Sequence, residues 1–161
     1  MNIFYLDKKI AKCAIYHADK HVIKMILESA QILSTALSLY GLQSPYKKTH
    51  IKHPCVLWAM ESIENWQWLK KLLGHLNAEY MYRWNKSVPH KSFIAMQSIE
   101  VPHGIIPSKG ITVRPQVMPE KYMIENDPIQ AYRNYYLNEK KDLHKYTKRS
   151  IPHWLTTAHI Q

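Results

Sequence analysis

Apolar residues recur at helical spacing from Ile10 through Ala14, Ala18, Val22, Met25, Ile26, Ile32, Leu33, Ala36 and Leu37 to Tyr40. That pattern predicts one long first helix, with Asp7 as its N-cap and Gly41 as its end. Residues 41–53 contain Gly41, Pro45 and the pair Lys47-Lys48 and read as a basic loop. Pro54 suits the first turn of a second helix carrying Val56, Leu57, Trp58, Met60 and Ile63. Helical spacing resumes through Trp66, Trp68, Leu69, Leu72, Leu73, Leu76, Tyr80 and Trp84, either continuing that helix or following a break near Gly74. Pro89 opens a shorter helix through Phe93, Ile94 and Met96. From Val101 to Pro119, the residues Pro102, Gly104, Pro107, Gly110 and Pro115 spoil helix and strand ladders alike and predict an ordered loop or lid. Asp127-Pro128 then reads as an N-cap with proline at the first helical position, opening a last helix through Ala131 to Leu137. A basic tail, 146–161, has Trp154 as its anchor. The expectation is an all-α, single-domain helical bundle over residues 1–161, with a long central first helix and a proline-rich loop at 101–119.

Most of the first helix's circumference is apolar, whereas His17, His21, Lys24, Glu28 and Thr35 fall in one column roughly 60° wide at the helical period. Asp19 and Lys20 lie nearer the apolar side. A surface helix shows a broad polar face, so this helix is expected to be central, with its column paired internally or opening into a cleft. The plain alternative is a solvated face with Lys24 and Glu28 as an i, i+4 pair. His17, Lys20, His21, Lys24 and Glu28 are nevertheless the residue types of proton transfer and amine chemistry, and form the candidate catalytic set. His17 and His21 sit one turn apart, and His50 and His53 lie in the next loop, which keeps a histidine-bound metal open as an alternative. No carboxylate or cysteine motif completes such a site, so neither metal nor cofactor is assigned.

Charge changes the picture. Lys and Arg total 22 against 12 Asp and Glu, a formal net charge of +10, and such a field draws polyanions. The 11 Tyr and 5 Trp against 2 Phe supply rings that stack while hydrogen bonding. Lys47, Lys48, His50 and His53 stand before a helix N-terminus, where backbone N–H groups also favour phosphate. Arg83 and Arg133 are interleaved with aromatic rings, Tyr135 among them, and Arg114 sits in the proline-rich loop. These eight form the candidate nucleic-acid set. Only Cys13 and Cys55 are present, too few for a disulfide framework. The N-terminus reaches Asp7 before a signal-peptide hydrophobic region forms, and no uninterrupted run of eighteen apolar residues follows. A cytoplasmic protein without membrane contact is expected, in the host-cell interior if viral.

The pattern Tyr16-His17-x-Asp19-Lys20-His21-x-x-Lys24-Met25-x-x-Glu28, then Thr49-His50-x-x-His53-Pro54-x-x-x-Trp58, Met118-Pro119 and Asp127-Pro128-x-x-Ala131-Tyr132-Arg133-Asn134-Tyr135-Tyr136 resembles a small basic protein family of tailed phages and large DNA viruses. It implies viral origin and no defined activity. A looser resemblance is to the phage-type pyrimidine dimer DNA glycosylases with AP lyase activity, which are basic, all-helical single domains. His17, Glu28 and the aromatic run Tyr132 to Tyr136 match that family in kind. In that family the nucleophile is the α-amino group exposed by Met removal, whereas Met1 here precedes the bulky Asn2; Glu28 also lies about a turn further from the histidine. Three functions are therefore expected to compete. The first is an enzyme acting on modified or damaged bases in DNA, DNA being favoured over RNA, in which Lys24, Lys20 or the α-amino group attacks the sugar, Glu28 relays charge, and His17 and His21 move protons. The second is a non-catalytic nucleic-acid-binding protein, and the third a metal nuclease built on His17, His21, His50 and His53.

Overall fold

The helical period that runs from Ile10 to Tyr40 breaks at Tyr16-His17-Ala18. In the computed structural model, which describes residues 1–159, α1 (Ile10–Ile15) ends there and α2 (Asp19–Leu39) starts afresh behind an extended Ala18. The single first helix expected from periodicity is therefore two. Polar contacts impose the break. Arg83, 1% exposed, donates to the carbonyls of Ile15 (2.9 Å) and His17 (2.8 Å) and to the Asp19 carboxylate (3.0 Å). The Ala18 N–H donates to the Tyr136 hydroxyl at 2.8 Å, and the Asp19 N–H to the Lys145 carbonyl at 2.8 Å. A guanidinium with its fixed fork of donors thus takes acceptors that a continuous helix would have used itself. Asp7 does not cap α1, whose N-cap is Lys9; its carboxylate accepts from the Lys9 N–H and from Arg133 instead.

The next break falls at Ser62 rather than near Gly74: α3 (Pro54–Glu61) and α4 (Ile63–Arg83) flank an extended Ser62 whose hydroxyl donates to the Gly110 carbonyl at 2.7 Å. Gly74 lies inside an unbroken α4. α5 (Lys91–Met96) begins behind His90, whose ring accepts from the Ser92 N–H. α6 (Pro128–Glu139) is capped by Asp127 as its sequence predicts, and α7 (His153–His159) ends the described chain, the last two residues of the basic tail lying outside the described residues. Short 3-10 turns at Glu120–Tyr122 and Lys141–Leu143 flank α6. Among the described residues no strand forms.

α2 and α4 pack most extensively against each other, with α3 and α5 against both and α1 against α4. Ile26, Leu33, Leu37, Trp66, Leu69 and Leu73 fill the interface with at most 2% exposure. By length and hydropathy α2 could cross a bilayer, but 67% of its most apolar window is buried inside the fold. It is the core helix, as its apolar circumference predicts. The N-terminal segment is buried as well, from Ile3 through Leu6. Residues 101–119 are free of helix and strand and are tied to the bundle: Asn65 bonds to Thr112 through both amide atoms, and Glu64 accepts from Ser108 and the Gly110 N–H. Arg114 lies 3.7 Å over the Tyr5 ring and 4.8 Å from that of Trp68. Of the two arginines expected to meet nucleic acid here, Arg83 is spent inside the protein and Arg114 is half-buried against these rings.

His17 leaves the expected catalytic set for the same reason. It sits in the turn between α1 and α2, wholly buried, and its Nδ1 meets the Cys13 carbonyl at 2.7 Å while Nε2 has no partner. Burial is the main cause that holds its pKa down at about 4, with Arg83 adding to it against the Cys13 hydrogen bond. The unfolded chain then binds a proton that the fold refuses between about pH 6.5 and pH 4, so stability is full above that window and is lost as pH falls through it. Thermal melts read by circular dichroism are expected to show that loss, on the order of 3 kcal/mol by pH 4 from this group, and His17→Gln is expected to flatten the slope. Arg83→Ala is expected to cost about 3–5 kcal/mol in urea unfolding, because Asp19 and the adjacent Glu79 stay buried with a partner removed. A loss below about 1 kcal/mol would contradict the role given to Arg83.

Candidate functional site

Glu28 projects from the middle of α2 toward the start of the chain. Its Oε1 lies 3.2 Å from the Met1 ammonium, whose residue is 3% exposed in its side chain, and its buried Oε2 has no hydrogen-bond donor, with Lys24 Nζ at 3.7 Å. Several contacts hold the terminus there. The Asn2 amide donates to the Val117 carbonyl (2.8 Å), and its oxygen accepts from the Ile3 N–H and the Tyr132 hydroxyl, both at 2.8 Å. Tyr132 also accepts from the Val117 N–H. His53, at the N-cap of α3, accepts from the Cys55 N–H through Nδ1, which leaves its other nitrogen to hydrogen bond with the Met1 backbone. Partial burial lowers its pKa first, the N-terminal ammonium and His50 add to that, and the Met1 hydrogen bond and Glu28 oppose it.

An open cleft of about 470 Å³ leads to this pair, lined by Met1, Asn2, Phe4, His21, Lys24, Met25, Glu28, Val117, Met118, Tyr135 and Lys140. Of the expected catalytic residues, His21, Lys24 and Glu28 meet here. Lys20 is exposed on the first turn of α2 and is not part of the cleft wall. His21 is 3% exposed, stacked on Phe4 with centroids 4.4 Å apart. Its pKa is pushed down to about 3, chiefly by burial and then by His17, Lys140 and Lys24. Neither histidine therefore carries a proton at neutral pH, against the expectation that both shuttle one. The four histidines do not gather either: among the described residues no three His, Cys, Asp or Glu side chains form a metal-binding group.

The nucleic-acid set divides. Lys47, Lys48 and His50 are exposed on the loop before α3, which the Thr49 N–H pins to Thr35 Oγ1 of α2 at 3.1 Å, two turns beyond Glu28. Tyr135 is half-buried at the cleft, its ring near-parallel to Phe4 and 5.1 Å from Lys140 Nζ. Arg133 instead bonds to the Leu6 carbonyl and Asp7 and lies over the Tyr16 and Trp154 rings. Sequence reasoning missed Phe4, Met25, Val117, Met118 and Lys140, because only the fold brings the N-terminal segment, the proline-rich loop and the end of α6 to one place.

No curated protein and no solved structure gives a significant match to the chain. A family model described as pyrimidine dimer DNA glycosylase matches residues 1–92, a span that holds Met1, His21, Lys24, Glu28 and His53 and stops short of Val117, Tyr135 and Lys140. Matching over more than half of its length, the chain belongs to the pyrimidine dimer DNA glycosylase family.

Proposed function

We propose that this chain breaks the base–sugar bond at a damaged base in DNA, a pyrimidine dimer, whose detached base stays tethered to its neighbour, being the first substrate to test, and cleaves at the resulting sugar, with the α-amino group of Met1 as nucleophile and Glu28 as its proton partner. The contact that carries the reading is the terminal amine 3.2 Å from the largely buried Glu28 carboxylate at the wall of an open cleft. An ammonium has no lone pair, so it must lose a proton before it attacks, and Glu28 is placed to receive it. The amine nitrogen then bonds to C1′ of the deoxyribose while the C1′–N bond to the base breaks and its electron pair leaves with the base. Opening of the sugar ring protonates O4′ and gives an iminium at C1′. Loss of a proton from C2′ expels the 3′-phosphate, which cuts the strand, and water releases the amine. As a class, α-amines are less basic than lysine side chains. Lys24, 66% exposed in its side chain, is assigned to the cleft rim with Lys140, where each attracts phosphate.

Attack by Met1 itself would need no removal of methionine, and in this the reading departs from the phage enzymes. Exposed Lys47, Lys48 and His50 supply backbone contacts on the Thr35 side. The test is borohydride trapping on duplexes carrying either a pyrimidine dimer or an abasic site. A covalent adduct is expected that maps by mass spectrometry to the N-terminal peptide and disappears when one residue is added before Met1. Glu28→Gln is expected to slow base release by about 10²–10³-fold while salt-dependent DNA binding persists. No adduct on either duplex, or an adduct that maps to Lys24, would sink the assignment of the α-amine.

A further inference from the structure

The hydroxyl of Tyr136 fixes which nitrogen of His21 holds the hydrogen. Tyr136 is wholly buried, and its oxygen accepts the Ala18 N–H at 2.8 Å while lying 2.9 Å from His21 Nδ1. The single phenolic hydrogen has one acceptor within reach that leaves every group satisfied, and that is Nδ1. A neutral His21 accepting there must carry its hydrogen on Nε2. The ring is clamped by the Phe4 stack and lines the cleft, and with Nδ1 turned to Tyr136 its remaining polar edge serves the cleft side. The groups facing it are Lys24 of α2, Lys140 at the end of α6, His17 behind it, and the rings of Phe4 and Tyr136. None is a carboxylate that would hold a proton on it.

Resting on the amine reading above, we infer that His21 is a neutral, tautomer-locked hydrogen-bond donor whose Nε2–H binds a carbonyl oxygen of the base being released. As the C1′–N bond breaks, its electron pair enters the pyrimidine ring and spreads onto the ring carbonyl oxygens. A fixed N–H aimed at such an oxygen binds the departing base more strongly than the ground state. His21 gives up no proton; it stabilises charge, as a neutral imidazole of depressed pKa does when it acts as an electrophile. The strand-cutting step at an abasic site has no base, so it does not use this contact.

That separation supplies the test. Single-turnover rates are measured for wild type, His21→Phe and His21→Gln on a pyrimidine-dimer duplex and on the same duplex with an abasic site. His21→Phe keeps an aromatic ring beside Phe4 and removes the donor; it is expected to slow base release about 100-fold and abasic-site cleavage at least about tenfold less than that. His21→Gln, whose amide reaches the position of Nε2, is expected to restore at least about tenfold of the loss. Equal losses on both duplexes, or no loss in base release, overturn the inference while leaving the amine mechanism standing. A wild-type protein inert on both duplexes ends the amine mechanism itself. ¹⁵N spectra of the wild-type imidazoles bear on His21 without any variant having to fold: the expected result is an Nε2–H tautomer that does not titrate between about pH 8 and pH 5. An Nδ1–H tautomer, or a midpoint near 6.5, overturns the locked donor whatever the activity.

Discussion

One ion pair joins the start of the chain to the middle of its core helix. The Met1 ammonium lies 3.2 Å from one carboxylate oxygen of Glu28, and it offsets the cost of a carboxylate that is itself buried. Residues 3–6 then run through the interior, and the other elements assemble around them. Phe4 packs against His21 of α2 and Tyr132, Tyr135 and Tyr136 of α6, while Tyr5 meets Trp68 of α4 and Arg114 of the proline-rich segment. Asn2 and Tyr132 fasten residues 115–117 at the same point. The bundle is thus keyed to its own first residues, and the cleft is what remains open beside that key.

This arrangement explains what the sequence shows and what it conceals. Helix content, the start of α3 at Pro54, the cap at Asp127, the irregular 101–119 segment and the central place of α2 follow from periodicity and from proline and glycine placement. The break at residues 16–18 does not, because Ala14, Ala18 and Val22 keep the helical spacing while the interruption is made by Arg83, more than sixty positions away. Reading that region as one helix put His17 in a column with His21, Lys24 and Glu28. The turn instead rotates it into the core against Cys13. Arg83 was misread in the complementary way: an arginine among tyrosines matches a nucleic-acid contact in composition, yet its partners are two carbonyls, Asp19 and Glu79. Glu28, Lys24 and His21 are legible because they share one true helix; that the α-amino group stands beside Glu28 is not, because no helical period covers residues 1–6.

The chain's positive charge has two effects at the cleft that act on different groups. Lys24 and Lys140 favour an approaching phosphate, and the same two cations disfavour a proton on His21. A bound phosphate would offset their part of that effect. It would not make His21 an acid, since burial is the first cause of its lowered pKa and DNA entering the cleft excludes more water still. His17 is held neutral in the same order, burial first and Arg83 after it. The cleft thus sets two kinds of group side by side: Glu28, whose opposite charges are the Met1 amine and Lys24, and a neutral imidazole with only cations and rings around it.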